Sequence, residues 1–185
     1  GEQNTDKDGI TEFTDIPAGK DYYYTVYHNP QNSTPYGNEY WGSKSSIEIK
    51  MDQTTYNIFQ RDLPYSGKIK VFKGELEVTG KSVEQNTELR IIQEIINPSN
   101  SAQKVRGKII LGVNSQNNYS LDSEGFVIVP ALGKITQEWI VNYATLGVYF
   151  VSAGVETILD NNPIICDGQA YQFEPLFKVM KQVDG

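Results

Sequence analysis

Hydrophobic and polar residues alternate with a period of two along most of the chain, and turn-forming residues separate the alternating segments. In residues 21–27, for example, Tyr22, Tyr24 and Val26 fall on one face of an extended segment. This periodicity predicts short β-strands rather than helices. The predicted strands are residues 21–27, 46–51, 55–59, 68–72, 75–79, 89–97, 103–113, 125–129, 134–141, 147–153 and 171–179.

The clearest pairing signal lies in the middle of the chain. Residues 89–97 and 103–113 predict the two strands of one hairpin, because Pro98 cannot continue a central ladder and the Asn and Ser residues after it favour a turn. In the returning strand, one face is predicted to carry Val105, Ile109, Leu111 and Val113.

Two further segments are predicted to be strands, residues 84–96 and residues 75–79. Residues 84–96 also carry apolar residues at helical spacing, but their isoleucines are β-branched, so we predict a strand. In residues 75–79 alternation predicts that Leu76 and Val78 point inward and the neighbouring glutamates point outward.

Strands at intervals of roughly 8–12 residues, separated by Pro, Gly and Asn, are typical of antiparallel sandwiches. The sequence therefore predicts an all-β fold, an antiparallel β-sandwich of one or two units. Pro64 and Gly67 lie between two strand patterns and predict a boundary there. The predicted domains are residues 1–63, a partial β unit with an aromatic loop, and residues 64–185, a sandwich domain.

Composition narrows the function classes. The 185 residues carry a net charge of −7 without a cluster of Lys and Arg, which argues against nucleic acid and anionic membranes as partners. No apolar run approaches the roughly 20 residues that span a bilayer. Richness in Asn, Gln, Ser, Thr and Tyr favours an exported β protein, extracellular or held at the cell surface, including by a lipid anchor.

Residues 5–27, TDKDGITEFTDIPAGKDYYYTVY, resemble prealbumin-like repeats such as collagen-adhesin B-type and carboxypeptidase-regulatory-like domains. The resemblance implies a first turn at Asp6, Asp8 and Gly9, core positions at Phe13 and Ile16, a second turn at Pro17 and Gly19, and a Tyr-rich strand. His28 stands where the adhesin repeats place a glutamate, so a Lys–Asn isopeptide bond is not expected.

Residues 68–183 resemble bacterial immunoglobulin-like and fibronectin-like domains through INPSNSAQKVRGKIILG, FVIVPALGKITQEWIV and LGVYFVSAG. The resemblance implies an Ig-like sandwich in which Trp139 and Tyr149 are inner-sheet aromatics. Many such modules are spacers or adhesive units of surface proteins, so it also implies a structural or adhesive role.

No catalytic or metal-binding pattern stands out. Residues 4–15 match part of a calcium loop, but Pro17 follows at once and flanking helices are not predicted, so we expect solvated turns. His28 is the only histidine, and Cys166, the only cysteine, is expected to be a small buried hydrophobe rather than a reactive thiol. We therefore expect no catalytic residue, no metal and no cofactor.

The aromatic segment near the N-terminus carries the one candidate binding site. Residues 29–42 are predicted to form a long loop that holds Tyr36, Tyr40 and Trp41. Exposed aromatics among Asn and Gln suit either a protein contact or a sugar-stacking platform, and the alternative is that they fold back to cap the sandwich.

We thus expect a non-enzymatic structural or adhesive β-sandwich module of an exported or surface bacterial protein, with another surface protein or a glycan as its partner. The alternative function is a carbohydrate-binding module that uses Tyr36, Tyr40 and Trp41. A hydrolase would instead require carboxylates that converge in a cleft.

Overall fold

The computed structural model describes residues 2–4, 10–28, 39–51, 53–55, 62–113, 117–168 and 174–181, and β-strand is the regular secondary structure found in them. In these described ranges thirteen strands follow one another. They are β1 (Gly19–His28), β2 (Glu39–Ile49), β3 (Tyr65–Lys73), β4 (Leu76–Glu77), β5 (Ser82–Glu84), β6 (Leu89–Ile96), β7 (Gln103–Val113), β8 (Asn117–Asp122), β9 (Val127–Val129), β10 (Lys134–Val141), β11 (Gly147–Leu159), β12 (Asn162–Gly168) and β13 (Phe177–Met180).

The chain divides into two compact units, Gly1–Thr25 with Ser43–Gln60, and Val26–Gly42 with Arg61–Gly185. β1 and β2 form a two-stranded sheet. In the smaller unit the Tyr22 hydroxyl donates a hydrogen bond of 2.8 Å to the carbonyl oxygen of Pro17, which ties the strand to the turn before it. The β1 strand confirms the prediction of a Tyr-rich strand in residues 21–27.

The larger unit contains two mainly antiparallel sheets that pack face to face. The first sheet has the strand order β10-β6-β3-β4, and the second has the order β5-β13-β11-β7-β8, to which β12 adds at β11 and β9 adds at β7. The main core cluster takes Val71 and Ile91 from the first sheet and Leu111 and Val151 from the second. The predicted all-β sandwich is therefore confirmed.

Alternation along β6 and β7 explains why these segments became central strands. Buried and half-buried positions alternate along β6, and the segment forms a strand rather than a helix, as predicted. On β7 the predicted inward face is confirmed, because its members are fully buried: Val105, Ile109, Leu111 and Val113. Tyr149 on β11 is also fully buried, and Trp139 on β10 is half-buried against the same cluster, which confirms their inner-sheet placement.

The predicted hairpin of residues 89–113 is wrong. β6 pairs with β3 and β10, whereas β7 pairs with β11, so residues 97–102 carry the chain from one sheet to the other. Asn97 holds this corner, because its side-chain amide donates hydrogen bonds of 2.8 Å to the carbonyl oxygen of Ser101 and 2.9 Å to that of Pro130. The turn residues were recognised correctly, but turn chemistry does not reveal whether the next strand pairs with its predecessor or crosses to the facing sheet.

A layer of polar groups crosses the core between two apolar clusters. Gln93 is fully buried, and its amide nitrogen donates to the Ser66 hydroxyl at 3.0 Å and to the carbonyl oxygen of Gly154 at 2.9 Å. The Gly107 amide donates to the side-chain oxygen of Gln137. The main cluster lies on one side of this layer, and a second cluster that includes Val105, Ile95, Val155 and Cys166 lies on the other.

Several other predictions are corrected by the structure. Leu76 is 61% exposed and Glu77 is half-buried, so the predicted orientation of Leu76 is wrong, although Val78 is buried as predicted. The Glu77 carboxylate accepts a hydrogen bond of 2.9 Å from Lys70, and both side chains are partly exposed. Phe13 and Ile16 are 41% and 37% exposed, so they are not core residues.

Strand boundaries also differ from the predictions. β5, β8 and β12 were not predicted, and β11 is longer than residues 147–153. The predicted loop of residues 29–42 ends earlier, because β2 begins at Glu39. Of the predicted strand 55–59 only Thr55 is described, without regular structure, and of residues 171–179 only the end forms β13, while 171–173 lie outside the described residues.

Candidate functional site

An open cleft of about 500 Å³ lies where an edge of each sheet comes together. β8 is at the edge of the second sheet and β10 is at the edge of the first, and both strands contribute to the cleft wall. Its aliphatic wall consists of Leu121, Ile140 and Val141. A volume of this size falls within the range of roughly 300–1,000 Å³ that small-molecule sites occupy.

Two tyrosines form the aromatic wall of the cleft. Tyr119 from β8 and Tyr143 from the segment after β10 line it, with ring centroids 4.8 Å apart and planes inclined by 51°. Behind them Tyr149 stacks on Phe177 with centroids 4.6 Å apart, and Tyr143 lies 5.0 Å from Tyr149. These four rings form one continuous aromatic stack that reaches from the core to the cleft.

Hydrogen bonds to one residue fix the orientation of two of these rings. The Tyr119 hydroxyl shares a hydrogen bond of 2.8 Å with the Thr145 hydroxyl, and the Tyr149 hydroxyl donates to the carbonyl oxygen of Thr145 at 2.9 Å. Thr145 lies in the connection between β10 and β11, so this connection clamps the aromatic wall. The ring of Tyr119 is therefore held in position before any ligand arrives.

The buried tyrosines are neutral at physiological pH. Burial raises the pKa of the Tyr149 hydroxyl to about 12, and the neighbouring Tyr119 adds to the shift. Burial also raises the pKa of Tyr143 well above its ordinary value, with contributions from Tyr149 and Tyr119. Tyr143 is only 8% exposed, and its hydroxyl has no hydrogen-bond partner among the described residues. These two rings are consequently neutral packing groups that support the cleft wall rather than bases.

Polar side chains form the outer rim of the cleft. Glu88, Ser120 and Asn142 line it and are all exposed. Leu89 pairs with Val141 in antiparallel register. Glu88, which precedes Leu89, and Asn142, which follows Val141, therefore lie at the same end of the sheet. A carboxylate acceptor and an amide that can both donate and accept are thus adjacent to the aromatic wall.

A separate charge network lies on β7 and β11. Glu156 accepts hydrogen bonds from the Arg106 Nε at 2.7 Å and from the Lys108 Nζ at 3.0 Å, and Arg106 lies 5.0 Å from the centroid of the Phe126 ring. Burial alone would raise the pKa of the Glu156 carboxyl, but the hydrogen bonds from Lys108 and Arg106 outweigh it and lower that pKa. The carboxylate is therefore satisfied and ionised, which suits a structural role.

The predicted aromatic site is only partly within the described residues. Tyr36 lies outside them, as does the Trp41 side chain, although Trp41 belongs to β2. Tyr40 is half-buried and packs against the second apolar cluster, with its ring 5.6 Å edge-on from that of Tyr27. Tyr36, Tyr40 and Trp41 together therefore remain a prediction.

The remaining candidates from the sequence are Cys166, His28 and the calcium-loop segment. Cys166 is fully buried, and its thiol donates to the carbonyl oxygens of Pro64 at 3.2 Å and Val155 at 3.3 Å, so the prediction of a small buried residue is confirmed. The His28 side chain and residues 5–9 of the candidate calcium loop lie outside the described residues. In the described part of the chain no group of three His, Cys, Asp or Glu residues is placed to hold a metal ion.

Sequence reasoning missed the cleft. Tyr119 and Tyr143 both lie outside the predicted strands, and neither was predicted to be a site residue. The available signal was an aromatic residue within each of two polar connections, since a tyrosine in a turn needs a packing partner.

Comparison with known proteins supports the fold assignment. No family model matches the chain, and no curated protein matches it. Among solved structures the chain is similar to the C-terminal domain of wzt, with a TM-score of 0.53, 11% sequence identity, and coverage of 66% of this chain and 76% of that one. At this identity the similarity shows a shared β-sandwich-like fold. No helix in the described residues is long and apolar enough to cross a membrane.

Proposed function

We propose that this chain is a non-enzymatic glycan-binding β-sandwich domain, and that the cleft between β8 and β10 is its binding site. The observation that carries this proposal is the joining of an aromatic wall, Tyr119 and Tyr143, to an exposed polar rim in one open cleft. A pyranose ring has an apolar face and a hydroxyl-bearing edge, so it needs these two kinds of surface side by side.

The details of the cleft favour binding over cleavage. Burial raises the pKa of the Tyr143 hydroxyl well above its ordinary value, so this cleft residue is not a base at neutral pH. The described lining offers one carboxylate, Glu88, whereas glycoside hydrolysis generally uses two. A clamped ring also lowers the entropy that is lost on binding, because Tyr119 is already ordered.

An exported or surface location accords with this proposal, since extracellular glycans are met there. The structural or adhesive role that the sequence predicts stays a prediction, as does the platform of Tyr36, Tyr40 and Trp41. The experiment below distinguishes binding in the cleft, binding on the aromatic platform and a structural or adhesive role without glycan binding.

The test is affinity electrophoresis and calorimetry with a panel of polysaccharides, on wild type and matched variants. Ile140 and Ile128 are 60% and 64% exposed, but only Ile140 lines the cleft. We expect Ile140→Ala to weaken glycan binding about fivefold, which corresponds to roughly 1 kcal/mol of lost apolar contact, and Ile128→Ala to leave it unchanged.

Two results would count against the cleft. If Trp41→Ala abolishes binding while Ile140→Ala does not change it, the ligand uses the N-terminal aromatic segment. If wild type binds no glycan of the panel, the glycan-binding proposal is wrong, and the structural or adhesive role becomes the leading hypothesis.

A further inference from the structure

The charge of the cleft indicates which class of glycan it accepts. Glu88 brings a negative charge to the rim, and within the described residues it has no ion-pair partner. The remaining described lining residues are uncharged. Residues 114–116, which precede β8 in the chain, are Asn, Ser and Gln and add no charge to the sequence there.

Two cations on the neighbouring strands β6 and β7 form ion pairs with other carboxylates. Arg90 pairs in register with Ile140, but its guanidinium lies 3.7 Å from the Glu138 carboxylate and 5.2 Å from the centroid of the Phe72 ring. On the other side of the cleft, the Nζ of Lys108 lies 3.0 Å from Glu156 and 3.7 Å from Asp122. Glu88 is therefore the charge that the described lining itself presents to an anionic ligand.

We propose that the cleft selects uncharged glycans against anionic ones, and that Glu88 is the residue that determines this selectivity. The inference rests on the proposed function of the cleft. Glu88 and Asn142 flank the paired residues Leu89 and Val141 at one end of the sheet, so a carboxylate acceptor and an amide donor are available there to the hydroxyls of a neutral pyranose. A uronate, sialate or phosphate in the same place would bring a second negative charge within a few ångströms of Glu88, and like charges at that distance repel.

The experiment compares each neutral polysaccharide with its own anionic form. Mannan, galactan and β-glucan are used unmodified and after oxidation of C6 to the carboxylate, so that backbone and linkage are the same. We expect wild type to bind the unmodified form at least about fivefold more tightly at low salt, and the difference to shrink in 1 M NaCl, where charges are screened over about 3 Å.

Two variants test whether the charge of Glu88 causes the preference for the neutral glycan. Glu88→Gln keeps the shape of the side chain and one hydrogen-bonding oxygen, so we expect its affinity for the neutral glycan to stay within about twofold of wild type. Because the charge is gone, its affinity for the oxidised glycan should rise close to its affinity for the neutral one. Glu75→Gln makes the same change in net charge at an exposed site outside the cleft lining, and it should leave the wild-type preference intact.

The outcomes are distinguishable. If the oxidised glycan binds as tightly as the neutral one, or if Glu75→Gln relaxes the preference as much as Glu88→Gln does, the selectivity proposal is wrong while glycan binding stands. If a preference exists but 1 M NaCl does not reduce it, the preference is steric, and Glu88 does not determine it by charge. If neither form of any glycan binds, the proposed function fails and the selectivity fails with it.

Discussion

The packing of the polar layer in the core predicts that replacing Gly107 by a larger residue destabilises the fold. A Cβ atom at this position would lie 2.5 Å from the side-chain oxygen of Gln137 and still closer to that of Gln93. Carbon–oxygen contacts of this kind are normally about 3.3 Å or longer. Gln93 cannot move aside freely, because its amide nitrogen is held by hydrogen bonds of 3.0 Å and 2.9 Å. Gly107→Ala should therefore disturb the whole layer.

The expected magnitude follows from three contributions. Forcing an additional methyl group into a packed core costs about 1–3 kcal/mol. Displacing Gln137 breaks the hydrogen bond donated by the Gly107 amide, and an unsatisfied buried amide costs about 1–3 kcal/mol. Replacing Gly by Ala restricts the unfolded chain, which restores about 0.4–1 kcal/mol. We therefore expect Gly107→Ala to lower the free energy of unfolding by about 3 kcal/mol, within a range of about 1–6 kcal/mol.

The assay is urea unfolding followed by far-UV circular dichroism, with the change in free energy taken from the midpoint shift and the slope. Gly125→Ala is the matched control, because a Cβ at Gly125 meets nothing within 4 Å. This control should be neutral or slightly stabilising. If Gly107→Ala unfolds at the same urea concentration as Gly125→Ala, the glutamine layer is not packed as described and the reasoning is refuted.

Two further predictions concern the sheet corner and the charge network. Asn97→Ala should lower the free energy of unfolding by about 1–3 kcal/mol in the same assay, because it removes the buried amide that now bonds the carbonyl oxygens of Ser101 and Pro130 in a partly buried corner. A loss below about 0.5 kcal/mol would contradict the role given to this corner. The pKa of Glu156 is lowered from an ordinary value of 4.5, so its stabilising effect is present above that pH and disappears as the pH falls through the folded-state pKa. Wild type should accordingly be more stable than Glu156→Gln at pH 7, and the difference should narrow below pH 4.5; a difference that is constant with pH would contradict the assignment.

Much of the sandwich was predictable because its central strands alternate clearly. Val105, Ile109, Leu111 and Val113 are inward on β7 as their spacing predicts. The partner of each strand was not predictable, since Pro98 and its neighbours indicate a change of direction without indicating which sheet the chain enters next. β6 and β7 therefore belong to different sheets although they are adjacent in the sequence.

Turn type explains the missed strand β12. No strand was predicted between residues 153 and 171, but the turn after β11 consists of only Asp160 and Asn161, which have φ values of 49° and 64°. A two-residue turn with positive φ at both positions connects the strands of a tight hairpin, so β12 begins at once with Asn162. Pro163 is tolerated there because it lies at the start of the strand.

The candidate site was beyond sequence reasoning for a different reason. Tyr119 and Tyr143 are 24 positions apart in the sequence and meet only because β8 and β10 are edges of opposite sheets. No local pattern records that meeting. Hydrophobic spacing specifies which residues face the core, but it does not specify where two sheet edges leave a cleft between them.

The most direct test of the glycan-binding proposal is to map the bound ligand by ¹H–¹⁵N correlation NMR, titrating the labelled chain with neutral oligosaccharides from mannan, galactan and β-glucan. We predict that the largest shifts occur at residues 119–121 and 140–143, around the aromatic wall and rim of the cleft. Shifts confined to residues 36–41, or spectra that do not change with any oligosaccharide, would contradict the assignment of the cleft as the binding site.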